Sequence, residues 1–402
     1  MSSHKNASGT GTIRKITVTR NGKDYTYWQA RFTSGYNPCT GKQIQHSITG
    51  NTQKEVSEKL SQVVTEINNK EYHEPLKITV AEWMKTWADT YTSNIKSSTA
   101  YLYGRYIDLY IVPSLGSIKL SALDAPTVQT FYNSLGAPRK DGKGPLSPKT
   151  IKCVHGVLHK ALGKAVTLGY MKANPTADCE LSCVVQKEMV PLDNNQIAAF
   201  LAATGGNAHE WAYKIALFTG LREGELLGLT WDCVNLEEGT LTVRQQLRRE
   251  QVKGGKYYFS TPKNGKVRTL KLPPTVVEYF CMQALAQDDL LQKAKSLWNN
   301  EYNLVFTNEI GGFLSYRTLY DCYKRIVASI GVPNARFHDL RHTYAATSLQ
   351  NGDDIKTLQG NLGHATAAFT LDRYGHITDN MKNASAERME AYMQQFPSKK
   401  CP

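Results

Sequence analysis

The chain has 402 residues, with 48 lysines and arginines against 35 aspartates and glutamates, a formal net charge of +13. Hydrophobic residues make up 41% and aromatics 10%, including 22 tyrosines, which is enough to bury ordinary cores and excludes wholesale disorder. No run of about 18 apolar residues occurs, so no membrane span is expected. The polar first stretch lacks the apolar segment of a secretory signal, and a cytoplasmic protein is expected. Eight scattered cysteines suit reduced thiols. Their one close pair, Cys179 and Cys183, has no second pair or nearby histidine to complete a zinc site. A basic excess of this size fits an anionic polymer as partner, or simply a solvated basic surface.

The charge is unevenly spread: residues 1–180 carry +10 of the +13. Two basic modules therefore stand in front of a larger, nearly balanced region. In the first module, 12–19 has strand composition. Asn21-Gly22 is a strong hairpin signal, because both central positions of such a turn need positive φ. The alternating, aromatic run 25–33 and the run 42–48 supply two more strands. Thr52 with Glu55 three residues on forms a capping box for a helix whose apolar stripe is Val56, Leu60, Val63, Val64 and Ile67. A sheet carrying Arg14, Lys15, Arg20 and Arg31 can enter a DNA groove, or can be a small sheet with ordinary exposed cations.

A polar, proline-containing linker at 68–77 leads to a second, helical module. Val80, Trp83, Met84 and Trp87 share one helical face. Further helices are predicted over 97–110, over 120–135 and from Ser147-Pro148 through Lys164. The last carries Lys149, Lys152, Lys160 and Lys164 in two pairs about one turn apart. That basic face beside tyrosine-rich helices suits phosphate contacts; a solvated face on a four-helix bundle fits equally well. An extended linker at 181–192 follows, and Asp193 caps the next helix.

The chemistry lies beyond that linker. In 219–229 (TGLREGELLGL), Arg222 and Glu225 stand three apart on one helical face. In 261–268, Lys263 sits at the turn of an expected hairpin between 257–260 and 268–272. In 338–342 (HDLRH), His338 and Arg341 again stand three apart. His364 follows in 362–364 (LGH), and ten residues later Tyr374 stands in LDRYGH. Singly each is weak: Arg222 with Glu225 is a common surface pair, and Tyr344 lies as close to an arginine as Tyr374 does. As an ordered set they have one purpose. Two arginine forks and a histidine surround an anion with charge-assisted donors, a lysine moves a proton, and a tyrosine acts as nucleophile.

With these motifs in this order and spacing, residues 186–396 closely resemble the tyrosine recombinase (integrase) family of phages and conjugative transposons. The front of the chain is similar to the arm-type and core-binding DNA domains of such integrases. The resemblance implies a multidomain α+β chain. Residues 1–70 would be an arm-binding sheet and helix, and 76–178 a helical core-binding (SAM-like) domain. Residues 186–402 would be a mainly helical catalytic domain with a small antiparallel sheet and a C-terminal docking helix. It implies site-specific strand exchange through a 3′-phosphotyrosine on Tyr374. Arg222, His338, Arg341 and His364 would serve the phosphate, Lys263 would be general acid, and Glu225 would orient Arg222 or His338. No metal and no ATP are implied. The implied partners are double-stranded DNA with core-type and arm-type sites, a homo-tetramer, an excisionase and a host DNA-bending protein, with the enzyme on the bacterial nucleoid. Two alternatives share features of this reading: a relaxing enzyme of the type IB topoisomerase kind, and a non-catalytic DNA-binding regulator. The stretch 379–396, with Met381, Met389, Tyr392, Met393 and Phe396, is predicted as a helix that docks on a neighbouring protomer or packs on its own domain.

Overall fold

The computed structural model describes residues 12–20, 22–36, 40–68, 78–138, 142, 144–185, 189–250, 254–262, 265–364, 366–374, 386–387 and 389–396. The chain divides into two compact units, 1–185 and 186–402.

The first unit begins with an antiparallel meander of β1 (Thr12–Arg20), β2 (Lys23–Tyr36) and β3 (Gln43–Gly50). Gly22 takes φ +75° at the first turn, as the Asn-Gly signal requires. Register places Ile13 opposite Ala30 and Ala30 opposite Ile48. These residues, with Trp28 and Phe32, form the sheet face that packs on Val56 and Leu60 of α1 (Gln53–Asn68). Strand alternation puts Arg14 and Arg31 on the opposite, exposed face, where Arg14 donates to Gln29 Oε1 (3.2 Å). Arg20 holds a register position on that same face, opposite Lys23. Lys15, opposite Trp28, falls on the α1 side, so the four basic residues read from sequence do not share one face.

The helical part of this unit has its own core. It contains α2 (Val80–Tyr91), α3 (Ser97–Tyr106), α4 (Val112–Leu115), α5 (Ala125–Leu135) and α6 (Pro148–Thr167). Thr79 and Glu82 cap α2 reciprocally, and the predicted stripe Val80, Trp83, Met84 and Trp87 is buried. Trp83 Nε1 donates to the Ala161 carbonyl of α6 (3.0 Å), fastening the first helix to the last. The helix expected over 97–110 runs on through a π-helical turn, Ile107–Ile111, into α4. The helix expected from 120 begins only at Ala125. Asp124 caps it and Pro126 suits its first turn, leaving Leu120–Ala122 as a separate 3-10 turn. On α6, Ile151, Val154, Leu158, Ala161 and Leu162 face the core. Lys149, Lys152 and Lys160 are exposed. Lys160 Nζ donates to Tyr103 Oη (3.0 Å), and Lys164 Nζ lies 4.9 Å from the Tyr91 ring centroid.

In the second unit, α7 (Asn194–Thr204), α8 (Glu210–Thr219) and α9 (Glu223–Leu227) precede a strand region. There β4 (Val234–Asn235), β5 (Thr240–Val243) and β8 (Arg268–Lys271) form one sheet, and β6 (Gln246–Arg249) pairs with β7 (Tyr257–Ser260) in another. The expected hairpin across 261–268 is therefore corrected. β7 and β8 do not pair, because the chain leaves β7 at Thr261-Pro262, where proline has no N–H for a ladder. The helices α10 (Pro274–Ala294), α11 (Tyr316–Ser329), α12 (Phe337–Gln350), α13 (Ile355–Leu362) and α14 (Ala367–Tyr374) complete the unit. The core is built on α8, whose Ala212, Tyr213, Ile215, Ala216 and Leu217 are buried. α12 is buried on several sides, with Phe337, Leu340, Arg341, Thr343, Ala345 and Leu349 all inside. A long polar side chain at that depth needs dedicated partners.

Candidate active site

Two helix ends create the need that Arg341 fills. α8 ends at Gly220 (φ +63°) and α13 at Gly363 (φ +63°), each in the left-handed conformation glycine accepts. Helix C-termini expose carbonyls without intrahelical partners. Arg341, 2% exposed, donates Nη1 to the Gly220 carbonyl (2.7 Å) and Nη2 to the Leu362 carbonyl. A single guanidinium thus ties together the segments that lead into Arg222 and His364.

Arg222 is the residue preceding α9, and Glu225 lies one turn in. Glu225 is 1% exposed and saturated with donors. Its Oε1 accepts from Arg222 Nη1 (2.7 Å) and Arg268 Nη1 (3.0 Å). Its Oε2 accepts from Arg268 Nη2 (2.7 Å) and the Arg222 backbone N–H (3.0 Å). Burial alone would raise this carboxyl, but the hydrogen bonds and charge of Arg268, then the charge of Arg222, take it down to about 2.

The histidines report the same positive environment. His364 is lowered to about 3 by desolvation, then by the charges of Arg341, Arg222, His342 and Arg268. Its Nδ1 meets Thr370 Oγ1 of α14 at 2.9 Å. His338, open to solvent on its α12 turn, is lowered to about 4 by partial desolvation, then by Arg341 and Arg222. Its ring stands perpendicular to that of His342, with centroids 4.9 Å apart. His342 is itself lowered to about 4, first by desolvation and then by His338. His338 and His364 therefore both lie within electrostatic reach of Arg222 and Arg341.

Lys263 lies outside the described residues. Beside it, the Gly265 N–H bonds the Pro262 carbonyl (2.9 Å). Tyr374 is the last residue of α14, four positions after Thr370. The rival Tyr344 is packed with Leu358 and Leu362, and its hydroxyl accepts from Asn361 Nδ2 (3.3 Å). Sequence reasoning missed Arg268, His342 and Thr370. Arg268 stood inside the motif TPKNGKVRTL, and His342 four residues after His338, but neither declares its partner without the fold. Of the expected C-terminal helix, 379–385 lies outside the described residues. Within 389–396, Met389, Tyr392, Met393 and Phe396 are each more than half exposed among the described residues. Among the described residues no three metal-ligating side chains cluster, and no helix is long and apolar enough to cross a membrane.

A helical domain that sets a buried and a half-buried arginine near two imidazoles carries the donors that phosphoryl transfer needs. The Phage integrase family matches residues 191–381, and the N-terminal SAM-like domain of phage integrases matches 79–136. A tyrosine recombinase XerC-like protein of Caldanaerobacter subterraneus subsp. tengcongensis is 28% identical over 393 residues, covering 94% of this chain and 98% of its own. The solved Tn1549 transposon integrase, in complex with a circular intermediate DNA, aligns with a TM-score of 0.65 at 24% identity. It covers 78% of this chain and 99% of that structure. A lambda integrase tetramer bound to a Holliday junction aligns at 0.50 and 19%, covering 87% and 96%. The chain belongs to the phage integrase family of tyrosine recombinases, enzymes that cleave DNA strands and join them to new partners.

The depressed histidines set a stability prediction. Protons bind them more readily in the unfolded chain, whose histidines titrate near 6.5, than in the fold. Stability is then complete above about pH 6.5 and is lost as pH falls toward 4. Melting temperature should drop over that window, less steeply in His342→Gln. Identical slopes would mean that His342 is not held neutral by the fold.

Proposed function

We propose that this chain is the integrase of a conjugative transposon or prophage, which inserts and excises the element by strand exchange through a 3′-phosphotyrosine. The supporting observation is that Arg222, held by the saturated carboxylate of Glu225, and Arg341 both act electrostatically on His338 and His364. The Tyr374 oxygen attacks the scissile phosphorus, the bond to the 5′-oxygen breaks, and that oxygen takes a proton from Lys263. A 5′-hydroxyl of the partner strand then attacks the phosphotyrosine and returns the proton. One phosphodiester energy is conserved throughout, so no ATP is required. The two arginines and His364 offset charge on the phosphorane with donors already in place, the work a metal ion would otherwise do. His338 bonds the phosphate or takes the Tyr374 proton, and Glu225 holds Arg222.

Residues 1–70 and 76–178 serve as arm-type and core-type DNA-binding domains, a division supported by their separate hydrophobic clusters. Arg14 and Arg31, with Arg20 beside them in register, would meet arm-site DNA, and Lys149, Lys152, Lys160 and Lys164 of α6 would meet core-site DNA. Residues 186–402 form the catalytic domain. Four protomers hold two duplexes, as the lambda integrase tetramer holds its junction. An excisionase and a host bending protein would bring arm and core sites together on the nucleoid. A topoisomerase-like relaxing enzyme needs no two DNA-holding modules ahead of its catalytic domain, which favours recombination.

The test is a plasmid carrying the two junctions between element and flanking DNA. The parent protein should convert it to deletion or inversion product without metal or ATP. Relaxation without recombinant product would overturn the proposal in favour of the topoisomerase-like reading, and no covalent adduct at all would favour a regulator. Deleting 386–402, which includes the exposed Met389, Tyr392, Met393 and Phe396, should abolish tetramers on paired sites and recombinant product while leaving single-site DNA binding. Intact tetramers in the truncated protein would assign that segment another role.

A further inference from the structure

Arg268 is held at every nitrogen of its guanidinium. Its side chain is 9% exposed. Nη1 and Nη2 grip both oxygens of Glu225 (3.0 and 2.7 Å), and Nε donates to the Asn361 carbonyl (2.8 Å) at the end of α13. The glycine of the Leu-Gly-His motif makes room for it: a Cβ on Gly363 would stand 3.1 Å from Arg268 Cδ and Nη1. With all three nitrogens occupied and its stem walled in, Arg268 cannot turn toward a substrate. Arg222 is held differently. Its guanidinium touches Glu225 through Nη1, and its side chain is 19% exposed.

The charges decide what this arrangement does. One buried carboxylate lies between two guanidiniums, leaving a net single positive charge. Because Arg268 takes the carboxylate in a two-pronged, nearly dry pair, the remaining charge sits on the exposed partner, Arg222. Without Arg268, the same carboxylate would pair with Arg222 alone and cancel the charge that the phosphate should feel. We propose that Arg268 is a positioning residue of strand cleavage: it neutralises Glu225 so that the charge of Arg222 remains available to the scissile phosphate. This rests on the recombinase reading of the site.

The experiment compares full-length parent, Arg268→Gln, Arg268→Lys, Glu225→Gln and the Arg268→Gln/Glu225→Gln double variant. The probe is a nicked duplex of the element's junction sequence, which traps the covalent adduct in a single turnover. Arg268→Gln should slow adduct formation by about 50-fold or more, with DNA affinity changed by less than about threefold. Arg268→Lys, which keeps the charge and loses the fork, should recover most of the rate. The double variant should exceed Arg268→Gln by about tenfold or more, because removing the carboxylate releases Arg222 again. If Arg268→Gln proves too unstable to assay, the double variant, which buries no unpaired carboxylate, should lie within about fivefold of Glu225→Gln. A double variant no faster than Arg268→Gln, or a lysine variant as slow as glutamine, would overturn the proposal and leave a purely structural ion pair. A parent protein that forms no adduct would instead remove the recombinase reading, and this proposal with it.

Discussion

Tyr374→Phe will form no covalent protein–DNA adduct, while its affinity for the duplex stays within about twofold of the parent's. The substitution removes one oxygen and keeps the ring, so nothing in the packing of α14 has to change. Position 374 ends that helix one turn beyond Thr370, which is fully buried and bonded to His364 Nδ1. In the proposed mechanism, this puts the nucleophile's backbone one helical turn from the residue bonded to a phosphate-serving histidine. Tyr344, the other tyrosine near an arginine, is packed against the α13 cluster and engaged by Asn361. Tyr344→Phe should therefore leave adduct formation nearly intact. A gel in which denatured Tyr374→Phe still carries labelled DNA would refute the assignment; one in which Tyr344→Phe alone has lost it would move the nucleophile there.

The motifs were legible because each is local. Arg222 and Glu225 lie three apart, and so do His338 and Arg341, so one helical turn declares each pair. The glycines of Thr-Gly-Leu and Leu-Gly-His are helix stops, visible as residues that accept positive φ. The contacts that hold the pairs together were not legible, since they join residues far apart in the chain. Arg268 meets Glu225 across 43 positions and Asn361 across 93, and Arg341 meets Gly220 across 121. The same reason explains the misread hairpin. Residues 257–260 and 268–272 looked like adjacent strands, but pairing is settled by which neighbour offers a ladder, and β5 and β6 offered theirs first. The sheet face that Lys15 occupies was not legible for a simpler reason. Strand alternation is a period of two, and adding up basic residues ignores it.

Arg341→Lys carries the second large effect, on activity and stability together. Lysine keeps the charge, so a site that needed only a positive point would tolerate it. Arg341 instead has two backbone carbonyls to serve, at the ends of α8 and α13. A single ammonium cannot span both and still face the phosphate, because the guanidinium fork is what sets the two directions. One buried carbonyl is left without a donor, at a cost of about 1–3 kcal/mol. The helix ends that carry Arg222 and His364 are then no longer held by one rigid group. Adduct formation should fall by roughly 10³-fold, the loss expected when preorganised donors around a developing oxyanion are disturbed. Thermal melting should drop, and duplex affinity should fall far less than the rate, because the front modules carry most of the positive excess. A lysine variant that cleaves within tenfold of the parent would show that the site reads charge alone, and that the carbonyl bridge between α8 and α13 serves stability without serving catalysis.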